Sequence, residues 1–354
     1  MSGDEILLSV VIPVYNGGAE PIETVSSVFE AGCESVEILL VDDGSEDETA
    51  RVCGQLAEGD GRIVFLRQAH RGAAWARNLG LEHARGRYVA FLDHDDRWIK
   101  GFFDDSTLDL LRRDRADVLI FGSCTANLEM TRCSRRCVSA HRASGPEALL
   151  ENWGHYGGML FGREHLASLG LMFCDIRYSE DVLFAARAIG AADEAAFVER
   201  YLHVYRQRPG SLTKSRGTRA DAYYDAFCAW MDHESCFVGA AALFFRDMAV
   251  SCGLCFLERA MGEGGHRRAG ICEAVLDTTL TMVRQGCRIA DRNRLTMLRD
   301  RPFWFRMDSR LRVWGAAIRT RLYAAALLRR LSDRMLLSSP LPCYMHSENE
   351  APNA

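Results

Sequence analysis

The stretch YVAFLDHDDRW, residues 88–98, contains a short apolar run that leads directly into a cluster of acidic residues. The run predicts a buried strand. Three carboxylates follow it within four positions, at Asp93, Asp95 and Asp96. Like charges this close repel, and the repulsion costs more in a partly dry site. The pattern therefore favours a divalent cation that carries a phosphate; a solvated acidic turn before Trp98 is the alternative.

Around this stretch, apolar runs alternate with helical patterns over roughly the first 120 residues. The predicted strands are 9–15, 36–43, 62–68, 88–92 and 117–122, and the predicted helices are 19–31, 46–58, 72–84 and one near 102–113. Ser45 and Glu48 match a capping box for the second helix. Continuous apolar strands separated by helices predict an α/β fold with a mainly parallel sheet covered on both faces.

Ligands of such sheets bind at the carboxyl ends of the strands. This rule points to Tyr15-Asn16, Asp42-Asp43 and the segment from Asp93 to Asp96. The carboxylate of Asp42 or Asp43 could cap the following helix, or accept hydrogen bonds from a ring N–H or a ribose hydroxyl.

The rest of the chain divides differently. Residues 123–145 predict an exposed hairpin or loop, and YGGMLFGREHLASLG (156–170) predicts a short strand and a helix. A helix is expected over 178–192, then one or two strands over 195–213 that end in a turn at Pro209-Gly210. The pattern is helical from about 218. We expect a catalytic domain at 1–217, a helical region at 218–340 and a disordered tail at 341–354.

Composition limits the function. The chain has 354 residues, a net charge of −5 and a pI of about 6.1, so no nucleic-acid partner is expected. The N-terminus does not match a signal peptide, and no apolar stretch is long enough to span a bilayer. Thirteen cysteines without an export signal predict reduced thiols in the cytoplasm. Cys252 and Cys255 lack further ligands at zinc spacing.

Four blocks carry a family resemblance: VVIPVYN (10–16), LLVDDGSEDET (39–49), HRGAAWARNLGLEHARGRYVAFLDHDD (70–96) and YSEDVLFAARA (178–188). In order and rough spacing they resemble the family 2 inverting glycosyltransferases, nucleotide-sugar enzymes with the GT-A fold. The segment YLHVYRQRPGSLT (201–213) resembles the closing strand and turn of bacterial capsule and exopolysaccharide members.

The resemblance implies a role for each matching residue. The residues implied to bind the nucleotide-sugar donor are Pro13, Tyr15, Asp43, Arg77, Asn78 and Asp93. The first three would lie around the base and ribose. Asp93 and Asp95 form the D-x-D motif for Mn²⁺ or Mg²⁺. His203 is a further metal candidate, although a lone histidine in a strand is more often packed and hydrogen-bonded.

Asp181 matches the general base, with Glu180 as the second choice. A plain structural interpretation also exists. Ser179 would cap the following helix, and Glu180 and Asp181 would be first-turn acids favoured by the helix dipole.

The resemblance implies an inverting, metal-dependent transfer from a nucleotide diphosphate sugar, a UDP-sugar first, to a lipid-linked or oligosaccharide acceptor in cell-surface polysaccharide synthesis. The sequence departs from the family at His70, where many members have Asn, and in HYGGMLFGREHL (155–166), which lacks a Lys found in capsule-type members. These differences concern donor and acceptor choice. A motif and spanning helices typical of processive synthases are missing, which favours single addition.

Residues 301–334 contain nine arginines and two acids, interleaved with aromatic and leucine residues. Such a segment can lie on an anionic membrane surface, or pack its apolar face on the catalytic domain. We therefore expect a cytoplasmic enzyme, peripheral to the inner face of the cell membrane under the first alternative.

Three other functions compete with glycosyl transfer. An apolar strand followed by D-x-D also occurs in haloacid-dehalogenase-type phosphatases, where the first Asp is the nucleophile and the motif usually begins the domain. A non-catalytic module that binds nucleotide sugars is a second alternative. Nucleotidyl transfer would need a basic, glycine-rich phosphate loop, but YNGGAEPIE (15–23) has the glycines without Lys or Arg.

Overall fold

The computed structural model describes residues 6–127, 133–136, 138–149, 156–207, 219–234, 236–237, 239–262 and 269–284. The chain divides into two compact units, one of residues 1–217 with 239–241 and the other of residues 218–238 with 242–354. The three predicted domains stay predictions. The basic segment 301–334 and the tail 341–354 lie outside the described residues.

The first unit is built on a ten-stranded mixed sheet. Its strands are β1 (Leu8–Val14), β2 (Val36–Asp42), β3 (Ile63–Arg67), β4 (Tyr88–Phe91), β5 (Arg97–Trp98), β6 (Val118–Ala126), β7 (Cys133–Arg136), β8 (His141–Ala143), β9 (Met159–Gly162) and β10 (Ala195–Arg206). The order is β3-β2-β1-β4-β9-β6-β10-β5, with β7 on β6 and β8 on β10. The predicted α/β class is confirmed.

The first four strands in this order are parallel, which brings their carboxyl ends to one edge. β1 and β2 pair from Leu8↔Val36 to Val14↔Asp42, and β1 pairs with β4 up to Val11↔Phe91. The sheet is mixed because β9 runs antiparallel to both β4 and β6.

Helices cover both faces of this half of the sheet. The helices of the first unit are α1 (Glu20–Glu30), α2 (Thr49–Gly59), α3 (Ala73–His83), α4 (Asp105–Arg113), α5 (Gly145–Ala148), α6 (Arg163–Ser168) and α7 (Glu180–Gly190). Val10 and Ile12 of β1 share a core cluster with Val28 of α1. Val11 points the other way, toward α3, where a Cβ at Gly80 would lie 2.3 Å from its Cγ1. A glycine is therefore needed there for α3 to approach the sheet.

The predicted capping box is wrong. α2 begins at Thr49, and the N-cap residue Glu48 makes no side-chain capping bond. Ser45 acts elsewhere: its Oγ accepts from the backbone N–H of Asn16 at 2.9 Å, and its own N–H donates to Oδ1 of Asp42 at 3.1 Å. Ser45 thus ties the end of β1 to the end of β2 instead of starting a helix.

The predicted hairpin after residue 123 is present as β6 and β7, which pair antiparallel from Ser123↔Arg136 to Ala126↔Cys133. Of the one or two strands predicted over 195–213, the described part is the single strand β10. The predicted turn at Pro209-Gly210 lies outside the described residues.

The later described part of the chain is helical, as predicted, with α8 (Ala220–Glu234), α9 (Gly239–Gly262) and α10 (Ala269–Arg284). Trp230, Phe245 and Phe256 are fully buried there. Cys252 and Cys255 are buried thiols within α9. Within the described part of the chain, no helix combines the length and the apolar character needed to cross a bilayer.

Candidate functional site

Hydrogen bonds within the protein hold the acidic turn after β4. The backbone N–H of Asp96 donates to the carbonyl of Asp93 at 2.9 Å. The hydroxyl of Thr24 in α1 donates to the carbonyls of His94 at 2.6 Å and Asp96 at 3.1 Å. One carboxylate oxygen from each of Asp93, Asp95 and Asp96 lies within 4.8 Å of the others. No other group of three such metal ligands occurs within the described residues.

Asp96 anchors this turn to β10. Its buried carboxylate accepts a hydrogen bond from the backbone N–H of Arg206 on Oδ1 at 3.0 Å, and its Oδ2 lies 2.8 Å from Nε2 of His203. Burial lowers the pKa of His203 to about 4, against the opposing charges of Asp93 and Asp95. The ring is therefore neutral at pH 7, and its Nε2–H donates to Asp96.

This geometry gives His203 a positioning role. The use of His203 as a metal ligand stays a prediction. In this structure Nε2, the ring nitrogen nearest the acidic turn, is hydrogen-bonded to Asp96. Gly157 packs against the same ring: a Cβ there would lie 2.7 Å from Nε2. The glycine thus leaves room for the imidazole beneath the turn.

Arg77 of α3 joins the two acidic motifs of the site. Its buried guanidinium donates to Oδ1 of Asp93 at 2.8 Å, to the hydroxyl of Tyr156 at 2.8 Å and to Oε1 of Glu180 at 3.1 Å. Tyr156 in turn donates to the same oxygen of Asp93 at 2.6 Å. Although burial lowers the pKa of Arg77, these neighbours raise it well above its usual value, so the residue stays charged.

Glu180 and Asp181 begin α7 as first-turn acids, as predicted, but Ser179 does not cap the helix with its side chain. Ser179 adopts a left-handed backbone with φ 67°, which is strained for a serine. Both acids are half-buried, and burial raises their pKa values against the opposing charge of Arg77. The charge of Asp181 raises the pKa of Glu180 further.

The predicted base pocket lies at the ends of β1 and β2. Tyr15 is 39% exposed and its ring stacks on that of His70, with centroids 4.0 Å apart. Asp43 is buried and its carboxylate accepts hydrogen bonds from the side chain of Gln68 and from the backbone N–H groups of Arg71 and Gly72. Nδ1 of His70 lies 2.8 Å from Oδ2 of Asp43 and 3.2 Å from its backbone carbonyl oxygen. Pro13 is buried inside β1, opposite Val41.

Asn78 serves the fold in this structure. Its amide exchanges two hydrogen bonds with the backbone of Phe173, donating at 3.0 Å and accepting at 2.8 Å. It thus fixes the segment that leads to Ser179. Its contact with a donor, implied by the resemblance, stays a prediction.

Two residues of the site could not be identified from the sequence. Tyr156 has no predicted role, because a tyrosine before Gly157-Gly158 matches no local motif. His70 stands out in the sequence only as a departure from the family, although the stack on Tyr15 places it inside the predicted base pocket.

Comparison with known proteins agrees with this geometry. The family model described as glycosyl transferase family 2 matches residues 9–161. An uncharacterized glycosyltransferase of Bacillus subtilis (strain 168), EpsJ, is 29% identical over 220 residues, which cover 59% of this chain and 63% of that protein. The glycosyltransferase GlyG of Streptococcus pneumoniae serotype 4 is 26% identical over 229 residues, which cover 59% of this chain and 73% of that protein.

Among solved structures, S. aureus TarS 1-349 in complex with UDP-GlcNAc is similar, with a TM-score of 0.56 and 18% identity over 72% of this chain and 73% of that one. The likeness shows a shared fold. The match to EpsJ covers 63% of that protein, which is less than two thirds of its length. The match of residues 9–161 favours glycosyl transfer over the haloacid-dehalogenase alternative. Residues 9–161 of the chain therefore resemble the family 2 glycosyltransferases.

Proposed function

We propose that this chain is an inverting, metal-dependent glycosyltransferase. It takes a nucleotide diphosphate sugar, with a UDP-sugar as the first choice, and transfers the sugar to a hydroxyl of a lipid-linked or saccharide acceptor in cell-surface polysaccharide synthesis. The observation that carries the proposal is the link through Arg77 between the acidic turn at Asp93 and the acids at the start of α7. TarS, which shares the fold, was solved with UDP-GlcNAc and with UDP, in support of a UDP-sugar donor.

The acidic turn fits a hard divalent cation. Carboxylate oxygens are the ligands that Mg²⁺ and Mn²⁺ prefer, and three of them lie within 4.8 Å of one another. Asp93 and Asp95 would hold the ion, with Asp96 anchored by His203. The bound ion supplies positive charge that stabilises the departing diphosphate.

The protein's own side chains prepare the donor side. Tyr156 and Arg77 both donate to Oδ1 of Asp93, which fixes the direction of that carboxylate. Tyr156 stays a neutral donor because burial raises its pKa well above the usual value. Tyr15 presents an aromatic ring at the end of β1, where a base can stack.

Asp181 is the proposed base. Glu180 already forms an ion pair with Arg77, so Asp181 is the better choice to take a proton from the acceptor hydroxyl. As the acceptor oxygen bonds to the anomeric carbon from the far face, the bond from that carbon to the diphosphate oxygen breaks. The proton passes to Asp181, and the configuration inverts. The raised pKa of Asp181 makes it a stronger base than an exposed aspartate.

Calorimetry of UDP binding with and without Mn²⁺ tests the metal site. Wild type should bind UDP more tightly with Mn²⁺, and Asp95→Asn should lose that difference. Asp109→Asn, an exposed aspartate of α4, serves as the matched control. Equal UDP affinity with and without metal in wild type would refute the metal-dependent mechanism. A panel of donor sugars, assayed for transfer by wild type and Asp181→Asn, then separates an enzyme from a non-catalytic binding module.

We also propose a cytoplasmic location, with residues 301–334 against an anionic membrane. Support comes from the sequence alone, through the arginine-rich composition of the segment. Flotation of the full chain with phosphatidylglycerol and phosphatidylcholine vesicles tests this idea. Binding to the anionic vesicles should fall when Arg319, Arg321, Arg329 and Arg330 are changed to Gln. Equal flotation with both kinds of vesicle would contradict the electrostatic attraction.

A further inference from the structure

The loop between β3 and α3 carries His70, whose imidazole lies where two separate ligand contacts are expected. The ring of His70 lies parallel to that of Tyr15, with a centroid distance of 4.0 Å and an interplanar angle of 20°. Nδ1 of the same ring lies 2.8 Å from Oδ2 of Asp43. His70 is thus a flat ring that stacks on the tyrosine with one face and reaches the carboxylate with its edge.

Three donors hold the carboxylate of Asp43, and the imidazole of His70 lies beside its second oxygen. Its Oδ1 accepts from Nε2 of Gln68 at 2.7 Å and from the N–H of Arg71 at 2.9 Å. Its Oδ2 accepts from the N–H of Gly72 at 2.7 Å, and Nδ1 of His70 lies 2.8 Å from that oxygen and 3.2 Å from the backbone carbonyl oxygen of Asp43. A carboxylate offers about four lone-pair positions, so a further donor needs the position that the imidazole covers.

Among these four partners, His70 is the one that can leave most easily. Its side chain is 54% exposed. Two of the others are backbone groups of a loop that is pinned to the sheet. The loop presses on Gly44, where a Cβ would lie 2.7 Å from the backbone nitrogen of His70, and Gly44 has φ +74°. The loop backbone is therefore fixed while the imidazole can rotate into solvent.

We infer that the imidazole of His70 lies in the position that the nucleobase takes, and that a donor binds only when the imidazole rotates out. The inference rests on the proposed function, because it assumes a nucleotide donor whose base stacks on Tyr15. Two rings 4.0 Å apart leave no room for a third between them. A base that stacks on this face of Tyr15 and donates a ring N–H to Asp43 must replace both contacts of His70.

The inference makes His70 a determinant of both affinity and base choice. The protein must give up a stacked pair and a hydrogen bond before the base binds, which lowers the apparent affinity. A base with a ring N–H, such as uracil, restores both contacts. Cytosine has no ring N–H at the matching position, so it restores the stack alone.

Calorimetry of UDP binding to wild type and His70→Ala tests this inference. The variant should bind UDP about threefold to thirtyfold more tightly, the range expected for one stack and one partly exposed hydrogen bond. His83→Ala, an exposed histidine at the far end of α3, should bind like wild type. Unchanged or weaker binding by His70→Ala would overturn the inference, and weaker binding would mean that His70 contacts the bound base.

A second measurement follows the ring itself. In protein with ¹³C-labelled histidine, the His70 signals, assigned by their loss in His70→Ala, should be shifted upfield by the ring of Tyr15. Addition of UDP should remove that shift, and its persistence at saturating UDP would refute rotation. If neither wild type nor His70→Ala binds UDP, GDP, CDP or dTDP, the proposed function itself fails and the inference with it. If the inference alone fails, UDP still binds, but His70→Ala does not tighten the binding and UDP does not remove the upfield shift.

Discussion

Arg77→Met should destabilise the first unit strongly, because one buried cation serves two carboxylates. The guanidinium is 5% exposed and pairs with Asp93 and Glu180, whose side chains are 31% and 19% exposed. Methionine keeps much of the side-chain volume and removes the charge. The change leaves both acids without their shared partner and removes one donor from the hydroxyl of Tyr156.

The expected loss is about 3 kcal/mol in the free energy of unfolding. Removal of one partner from a buried ion pair costs about 3–5 kcal/mol. We take the lower end because water still reaches both carboxylates and screens their repulsion. For a unit of this size the loss corresponds to a fall of about 6–12 °C in Tm.

The cost should depend on pH in a direction set by the site. The pKa values of Glu180 and Asp181 are raised, chiefly by burial, and loss of Arg77 removes the charge that opposes this rise. Acids with a raised folded pKa bind more protons when folded, so the folded state loses stability as the pH rises above their unfolded pKa. Urea unfolding should therefore show a larger cost of Arg77→Met at pH 8 than at pH 5.

The matched control is Arg51→Met, which removes an exposed ion pair with Glu48. It should cost less than about 1 kcal/mol at either pH. A cost of Arg77→Met below about 1 kcal/mol, or one that grows toward pH 5, would refute the bridge between the two acidic motifs.

The remaining predictions concern other buried charges and close contacts. Asp181→Asn should abolish sugar transfer and retain UDP binding. Because the pKa of Asp181 is raised in the folded state, the variant should be more stable at pH 8 by about 0.5–2 kcal/mol. Thermal unfolding scans should show that this gain disappears below the unfolded pKa of aspartate. Glu37→Gln should cost about 1.5–3 kcal/mol at pH 7, because it weakens half-buried charge-assisted bonds with Arg85. Burial raises the pKa of Glu37, but the bonds lower it overall, so the cost should shrink below about pH 4 in urea unfolding. Gly157→Ala should displace the ring of His203 and weaken Mn²⁺-dependent UDP binding about tenfold in calorimetry, whereas unchanged affinity would show that the turn does not depend on this histidine.

The half of the sheet that carries the site could be predicted from the sequence because its signals are local. Continuous apolar runs at 38–41 and 88–92 mark strands buried on both faces, and short helical segments between the strands require parallel pairing. The place of β9 between β4 and β6 could not be predicted in this way. Its residues Met159–Gly162 form a strand in either direction, and only long-range packing selects the antiparallel one.

The roles of single polar residues were harder to predict than the strands. The letters around Ser45 fit a capping box, but the hydroxyl found a partner at Asn16, 29 positions away in sequence. Arg77 contacts Asp93, Tyr156 and Glu180, which are 16, 79 and 103 positions away. No local motif encodes such contacts, so a pattern can propose that a residue is functional without saying what it touches.

A common principle explains how this site keeps so many carboxylates together. Each of the acids with described partners is paired inside the protein: Asp43 with the loop that carries His70, Asp93 and Glu180 with Arg77, and Asp96 with His203. A carboxylate left unpaired in a partly dry site would destabilise the fold, so the sequence supplies these partners in advance. A ligand must then either compete with such a partner, as at Asp43, or use oxygens that the partner does not cover. The first case makes donor affinity sensitive to a residue that lies in the donor's place and leaves it when the donor binds. Substitution of His70 should therefore tighten binding, whereas substitution of a direct contact would weaken it.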